Sequence, residues 1–575
     1  MTRARRGALL AVAALVPLAV AATAQEVPGG RSAYVVEASG ASLDDLLGVP
    51  ALRGVAAFGG AGLLVEAGSG STDGAAAPGS TVVAAGSLSS PDGSADRARI
   101  EAVAAEMRTW LVDSRADRVL VLVVVASPSP DDLARGDTVG AIVAAIGRPS
   151  AIADAMERGD ASPVALTSDS TRRDGVVASP DVPATVVAFL GTGDASGDDV
   201  AGAPIRATAS GPPFELHERY LEQRRLYVPI GTAAALYVTI GGLLAVAALA
   251  LGDRVPRGLQ RALGWLSLSV PALGAALLAA GHLPELTYAT AVPFVAIVTV
   301  FGTLSVSPLE RRDVTLVPMA LGALVLAAFV VEAATGWDAM LTPLVGGSQL
   351  DGGRFFGMPN VAIGLVIGAS VYLAHRLPTT HGVAVIVAAA LLASMPFAGA
   401  NLGAGVSLFA TAGLWFAVRE RARLRPIVGF AVVAGVTVLG TAVVLLAHAL
   451  SPVATHVTRF ERTAGGIGDV LDTVGDRLRI GVDLLARNPA ALAPVIGLGA
   501  VLLVIARPPA PVRRTFDRWP AWRDAVLVCA LGGVAAYLAN DTGPAAAGFA
   551  FGLALGGIVG VSLLAVPGKM GRDGA

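Results

Sequence analysis

The chain is poor in cysteine, in lysine and in charge. Its 575 residues include one cysteine, Cys529, inside an apolar run. One thiol excludes an internal disulfide, and no Cys/His cluster has the spacing of a zinc site. Only 15% of residues are charged, against about 25% in an ordinary soluble protein, so much of the chain must sit in a medium that does not reward charge. A net charge of −2 offers no basic field for nucleic acid. What is abundant is apolar, 54% of the residues. Ala, Gly and Val prevail and the bases are nearly all arginine, the bias of a GC-rich bacterial genome.

Residues 25 to 220 lack any long apolar run. Before them, Arg3, Arg5 and Arg6 precede the apolar stretch Ala8 to Ala22, and Ala22-Thr23-Ala24 offers a small-x-small cleavage site. Residues 1–24 therefore read as a signal peptide or an uncleaved anchor, and either places the next domain outside the cytoplasm. Within 25–213, β-like runs (Tyr34 to Val36, Val119 to Val125, Val186 to Leu190) alternate with helix-like stretches such as Ala95 to Leu111, the pattern of an α/β domain. Residues 67 to 97, rich in Gly, Ala, Ser, Pro and Asp, read as a loop or a degraded segment. Residues 192 to 213 read as a linker and 214–226 as a charged juxtamembrane helix.

From Tyr227 the character changes. Apolar runs occur at 227–251, 263–283, 286–308, 313–336, 359–376, 382–398, 402–419, 426–449, 489–507, 523–540 and 544–567. Crossing the hydrocarbon core takes about 20 residues, so about eleven spans are expected over 227–568. With the first domain outside, the inner loops carry Arg254, Arg257 and Arg261; Arg311 and Arg312; Arg376; Arg419, Arg421, Arg423 and Arg425; and Arg507, Arg513, Arg514, Arg518 and Arg523, and the tail 569–575 adds Lys569 and Arg572. The short outer loops are nearly free of bases apart from Arg354, which is the positive-inside bias. In the long outer loop 450–488, Ile467, Val470, Leu471, Val474, Leu478, Val482 and Leu485 recur at helical spacing, as in an amphipathic helix on the membrane surface or an ordinary packing helix.

Orientation gathers the polar, glycine-rich elements on the outer face. Gly352 to Asn360 precedes the fifth span, Gly399-Ala400-Asn401-Leu402-Gly403-Ala404-Gly405 forms the next outer turn, Thr455-His456-Val457-Thr458-Arg459 follows the eighth span, and Asn540-Asp541-Thr542-Gly543 is the last outer turn. Polar groups near bilayer depth are costly and tend to be paired or functional. Arg354 and Arg459 suit a phosphate or carboxylate. His456 is the best-placed acid/base, and Asp541 suits a base or an orienting partner, with Asn360, Asn401 and Asn540 as further binding candidates. Each has a plainer reading: an Arg354–Asp351 ion pair, small residues packing helices at 399–405, a capped tight turn at 540–543, and an interfacial histidine.

Two resemblances follow. Thr167 to Gly175, followed by Asp181-Val182-Pro183-Ala184-Thr185 and a helix ending at Leu190-Gly191, resembles the C-terminal part of alkaline-phosphatase-superfamily domains, and Tyr34 to Leu46 resembles their opening strand and loop. The chain departs from that superfamily where its metals bind. Glu37-Ala38-Ser39 stands where an aspartate is usual, segment 67–97 holds no nucleophile motif, and no histidine precedes His217. Two-metal phosphatase chemistry needs such ligands, so the resemblance implies an inactive relative used for binding or sensing, with no metal or cofactor.

The membrane half resembles a family of bacterial multi-pass proteins in which an exported phosphatase-like domain precedes a bundle. Their Arg-Phe-Tyr-Gly-x-x-Asn signature is matched by Arg354-Phe355-Phe356-Gly357-Met358-Pro359-Asn360, and their later elements by Gly399 to Gly403, His456 to Arg459 and Asn540 to Gly543. A weaker likeness, by topology and the placement of Arg and His, is to O-antigen ligases and polymerases, which transfer glycans from undecaprenyl diphosphate. The expectation is a membrane α-helical bundle in the cell membrane with an extracytoplasmic α/β domain. Its partners would be membrane lipid and a polyprenyl-phosphate-linked glycan, its action glycan transfer. Transport, flipping or scaffolding of an anionic precursor is the alternative.

Overall fold

The computed structural model describes residues 31–39, 43–65, 81–85, 97–127, 140–159, 162–190, 202–208, 213–344, 348–351, 356–451, 475, 479, 492–540 and 543–565. The chain divides into two compact units, Met1–Leu221 with Leu350–Phe355, and Glu222–Gln349 with Phe356–Ala575.

Among its described residues the first unit has eight strands: β1 (Arg31–Ser39), β2 (Gly60–Val65), β3 (Thr81–Ala85), β4 (Arg118–Ser127), β5 (Gly140–Gly147), β6 (Ala165–Thr167), β7 (Val176–Ala178) and β8 (Arg206–Thr208). They form one mixed sheet in the order β3-β1-β4-β5-β2-β6-β8, with β7 also paired to β2. Strand β4 shows why. Val119 to Val125 is an unbroken apolar run, all of it buried, as expected of a strand covered on both faces. It runs parallel to β1 and antiparallel to β5. The helices are α1 (Leu43–Gly48), α2 (Pro50–Phe58), α3 (Arg97–Asp113), α4 (Pro149–Arg158) and α5 (Asp181–Leu190). Leu120, Leu122, Ile142 and Phe189 share a core with Val182 and Val186 of α5. Elsewhere the Tyr34 ring lies 5.0 Å from Trp110 of α3.

Three local readings change. Val186 to Leu190 is the end of helix α5, not a strand. Buried Asp181 clamps the start of that helix: Oδ2 accepts from Ser168 Oγ (2.5 Å) and Ala178 N (2.9 Å), and Oδ1 from Ala203 N (2.9 Å). A carboxylate bound to backbone N–H groups at a helix start is stabilising, and it overrides the β preference of Val and Phe. The loop 67–97 contributes β3, parallel to β1; five residues flanked by glycine and serine give a weak strand signal. The linker 192–213 contributes β8, antiparallel to β6.

The second unit is helical. Its helices are α6 (Pro213–Leu251, whose first turns belong to the other unit), α7 (Arg257–Leu268), α8 (Val270–Ala279), α9 (Tyr288–Ser305), α10 (Leu316–Ala334), α11 (Ala362–Ala374), α12 (Thr379–Ser394), α13 (Leu402–Arg419), α14 (Pro426–Ala449), α15 (Leu492–Ala506), α16 (Ala510–Arg518), α17 (Pro520–Ala539) and α18 (Pro544–Leu564). The charged stretch 214–226 and the first apolar run are thus one continuous helix. Among the described residues seven helices are long and apolar enough to cross a membrane, or nine if each bent pair is one span. The runs at 359–376 and 382–398 form the shorter α11 and α12. This is compatible with a multi-pass membrane helical bundle. The amphipathic stretch expected in 450–488 lies outside the described residues, Gly475 and Arg479 excepted.

Short α11 lies at the centre, buried along nearly its whole length. Peripheral α14 and α9 expose Ile427, Phe430, Leu439 and Phe301. Large apolar side chains exposed over the outer surface are what a lipid environment accommodates.

Candidate functional site

The chain direction of successive helices assigns the described turns to one of two ends of the bundle. One end collects the starts of α7, α10, α12, α14 and α17, and it is the arginine end. Arg261 pairs with Glu310 (2.8 Å), Arg376 with Asp313 (2.7 Å), Arg423 with Glu420 (2.8 Å), and Arg421 with the buried Asp524 (2.7 Å). Burial pushes the Asp313 carboxyl up, but hydrogen bonds from Thr315 and the Arg376 guanidinium outweigh it and hold the group below the usual carboxylate range. Glu420 is likewise held low, first by the Thr379 hydroxyl and then by Arg423. His375 and His381 belong to this end; His375 is buried, with Nδ1 2.7 Å from Tyr372 O.

The other end collects the starts of α9, α11, α13 and α18, and it is an amide and glycine end. Asn401 caps α13, its Oδ1 accepting from Ala404 N at 3.0 Å. Its Nδ2 donates to Met358 O (2.9 Å) and to Asn360 Oδ1 (3.0 Å). The backbone repeats the joint: Met358 N donates to Gly399 O at 2.8 Å, and Asn401 N to Ala393 O at 3.0 Å. Gly357 sits at φ +92°, where a Cβ would fall 2.0 Å from Gly399 O, so only glycine fits. Ala400 holds φ +47°, a left-handed conformation that a residue with a Cβ adopts at a cost.

Asn540 joins the same helix one turn further on. Its Nδ2 donates to Ala536 O (2.8 Å) and Ser407 Oγ (3.4 Å). A Cβ on Gly403 would fall 2.1 Å from its Oδ1. Gly543 N closes the following turn on Asn540 O at 3.1 Å.

Three candidates from distant sequence positions, Asn360, Asn401 and Asn540, are therefore brought to the first turns of α13. Asn401 is fully buried and both its N–H groups are spent inside the protein, so it positions the turn. Asn540 is buried in the same manner. Half-buried Asn360 stands nearer the surface. Arg354, His456, Arg459 and Asp541 lie outside the described residues.

Sequence reasoning missed residues at this end. Glu332, the lone acid of α10, is buried and hydrogen-bonded to His282 Nε2. A lone carboxylate in an apolar span is itself a signal; its partner stands fifty positions away, so it was not visible in sequence. Trp337 ties this pair to the amide turn, its backbone N–H donating to Glu332 O (2.8 Å) and its indole N–H to Ala398 O (2.8 Å). His448 also belongs here, its Nε2 2.9 Å from Ser394 O. Among the described residues no three His, Cys, Asp or Glu side chains are grouped to share a metal ion. Compared with family models, with curated proteins and with solved structures, the chain matches none.

Proposed function

We propose that this is an integral protein of the bacterial cell envelope that acts on lipid-linked phosphate or diphosphate glycan precursors at the outer face of the cytoplasmic membrane. The observation that carries the reading is the meeting of segments 356–360, 398–407 and 536–540 at one end of the bundle, opposite the arginine end. The positive-inside rule assigns arginine-rich loops to the cytoplasm, so the amide end faces outward. Asn401 and Asn540 shape the floor of the site. Arg354 and Arg459 hold the phosphates, His456 assists proton transfer and Asp541 orients it. Residues 25–213 act as a binding or sensing module of alkaline-phosphatase-like ancestry, without hydrolytic activity.

The test is substitution in cells. Arg354→Ala, His456→Ala and Arg459→Ala should each deplete the envelope glycan while the protein still reaches the membrane. Normal glycan composition in all three would overturn the assignment.

A second reading, a transporter or flippase for the same anionic precursor, is favoured by the bent span. α7 and α8 meet at 43° around Ser269, whose Oγ is 2.8 Å from Tyr237 Oη, and broken helices are where transporters bind their cargo. Under this reading the arginine variants lose precursor binding and His456→Ala has little effect.

A further inference from the structure

His282 and Glu332 come from different helices and meet at the amide end of the bundle. Glu332 is the only ionisable side chain of α10, and its side chain is 8% exposed, whereas that of His282 is 42% exposed. The Glu332 carboxylate accepts from His282 Nε2. That bond fixes the neutral ring as the tautomer with its proton on Nε2 and leaves Nδ1 as the basic nitrogen. The pair is rigidly seated. Gly281 is so close to the 338–341 turn that a Cβ there would fall 2.1 Å from Ala339 O. Asp338 is the other charge close enough to act on Glu332. A buried carboxylate behind a half-exposed imidazole is the arrangement that orients a general base, and burying a lone acid in an apolar span is too costly to be incidental.

We propose that His282 is a general base of the amide-end site and Glu332 the residue that positions it. The inference rests on the glycan-transfer reading and adds a proton acceptor distinct from His456. Trp337, bonded to Glu332 O and Ala398 O, sets the pair beside the 398–401 turn. An acceptor hydroxyl oxygen attacks the anomeric carbon of the lipid-linked sugar, and the carbon–oxygen bond to the diphosphate breaks with its electron pair leaving on the diphosphate. The hydroxyl proton passes to His282 Nδ1. The resulting imidazolium is stabilised by the Glu332 carboxylate until it releases the proton to water.

The first test is chemical and independent of substrate. Dicyclohexylcarbodiimide, a membrane-soluble reagent, modifies protonated carboxyls, and mass spectrometry of the full-length protein in nanodiscs reads incorporation at Glu332. Removing the imidazole in His282→Ala leaves the buried carboxyl without the N–H group that it accepts from, and incorporation at neutral pH should rise about five-fold or more. Unchanged incorporation overturns the pairing. The second test is in cells. His282→Gln and Glu332→Gln keep size and hydrogen bonding, so each should leave the melting temperature nearly unchanged yet deplete the envelope glycan as far as the double variant does. If they leave the glycan intact while Arg354→Ala or Arg459→Ala depletes it, the glycan reading stands and the dyad assignment falls. If neither set has any effect, the glycan reading itself falls, and the base role with it.

Discussion

The two ends of the helical bundle solve the problem of a membrane boundary in different ways. At the arginine end, charge is met by charge: Asp313, Glu420, Glu310 and Asp524 each hold an arginine. The arginines are mostly exposed, Arg423 at 82% and Arg261 at 60%, and exposed ion pairs contribute little to stability, about 0–1 kcal/mol each. At the amide end the joint around Asn401 and Asn540 is made of neutral, buried amides, and the backbone is held in left-handed conformations at Gly357 and Ala400. Strain of that kind persists only where its surroundings over-determine it. One end is therefore replaceable residue by residue, and the other is a single interlocked object.

The widest separation expected between the ends is topological. A cysteine placed at exposed Glu285, at the amide end, should react with a membrane-impermeant maleimide in intact cells. One at exposed Arg514 should react only after permeabilisation. Native Cys529 is fully buried and serves as its own silent control. Reaction at 514 from outside, with 285 protected, would reverse the bundle and remove the amide end from the exported compartment.

The next separation is energetic. Gly357→Ala puts a Cβ 2.0 Å from Gly399 O in a left-handed residue, and should cost about 3 kcal/mol or more, the scale of backbone strain combined with overpacking. Asn401→Ala removes the α13 cap and both donors to the 358–360 segment, a loss of about 2–4 kcal/mol from cap and buried hydrogen bonds together. Arg423→Gln at the other end should cost under about 1 kcal/mol. Urea or thermal unfolding in mild detergent ranks the three, and equal losses at Asn401 and Arg423 would dissolve the contrast.

This contrast explains what could be read from the sequence. The apolar runs and the alternation of arginines mark helices and their ends, because burial in lipid is written into every residue of a span. Glycine and asparagine at 357, 399–403 and 540 stood out because few residue types tolerate such turns. What did not show was the partner of each group. Asn401 and Asn360 are separated by forty-one positions, Asn540 and Ser407 by far more, and no local pattern encodes such a meeting. Glu332 was visible as a lone acid but unreadable without His282. In the first unit, β3 escaped notice because its neighbours are glycine and serine, and the residue pattern at 186–190 read as β, although the resemblance implied a helix there, because the helix is held by Asp181 binding Ser168, Ala178 and Ala203.

The finest test of the comparison is pH. The amides of Asn360, Asn401 and Asn540 do not titrate, so their contribution should be flat from neutral to acid. Asp313 does titrate. Its carboxyl is held below the usual range by Thr315 and Arg376 despite partial burial, so in the unfolded chain it takes up a proton first. Stability from this group is fully present above the ordinary aspartate value of about 4, and is lost as pH falls through the folded value below it. Asp313→Asn should therefore lower the melting temperature slightly at neutral pH and flatten its fall below about pH 4. Added salt should shrink the same difference, because the pair is partly exposed and screened. Asn401→Asp supplies the converse: it keeps the cap oxygen, loses the donors to Met358 and Asn360, and introduces a buried carboxyl. Its melting temperature should recover as acid neutralises that charge. Parallel acid profiles for the two variants would mean that the ends are held together by the same kind of force.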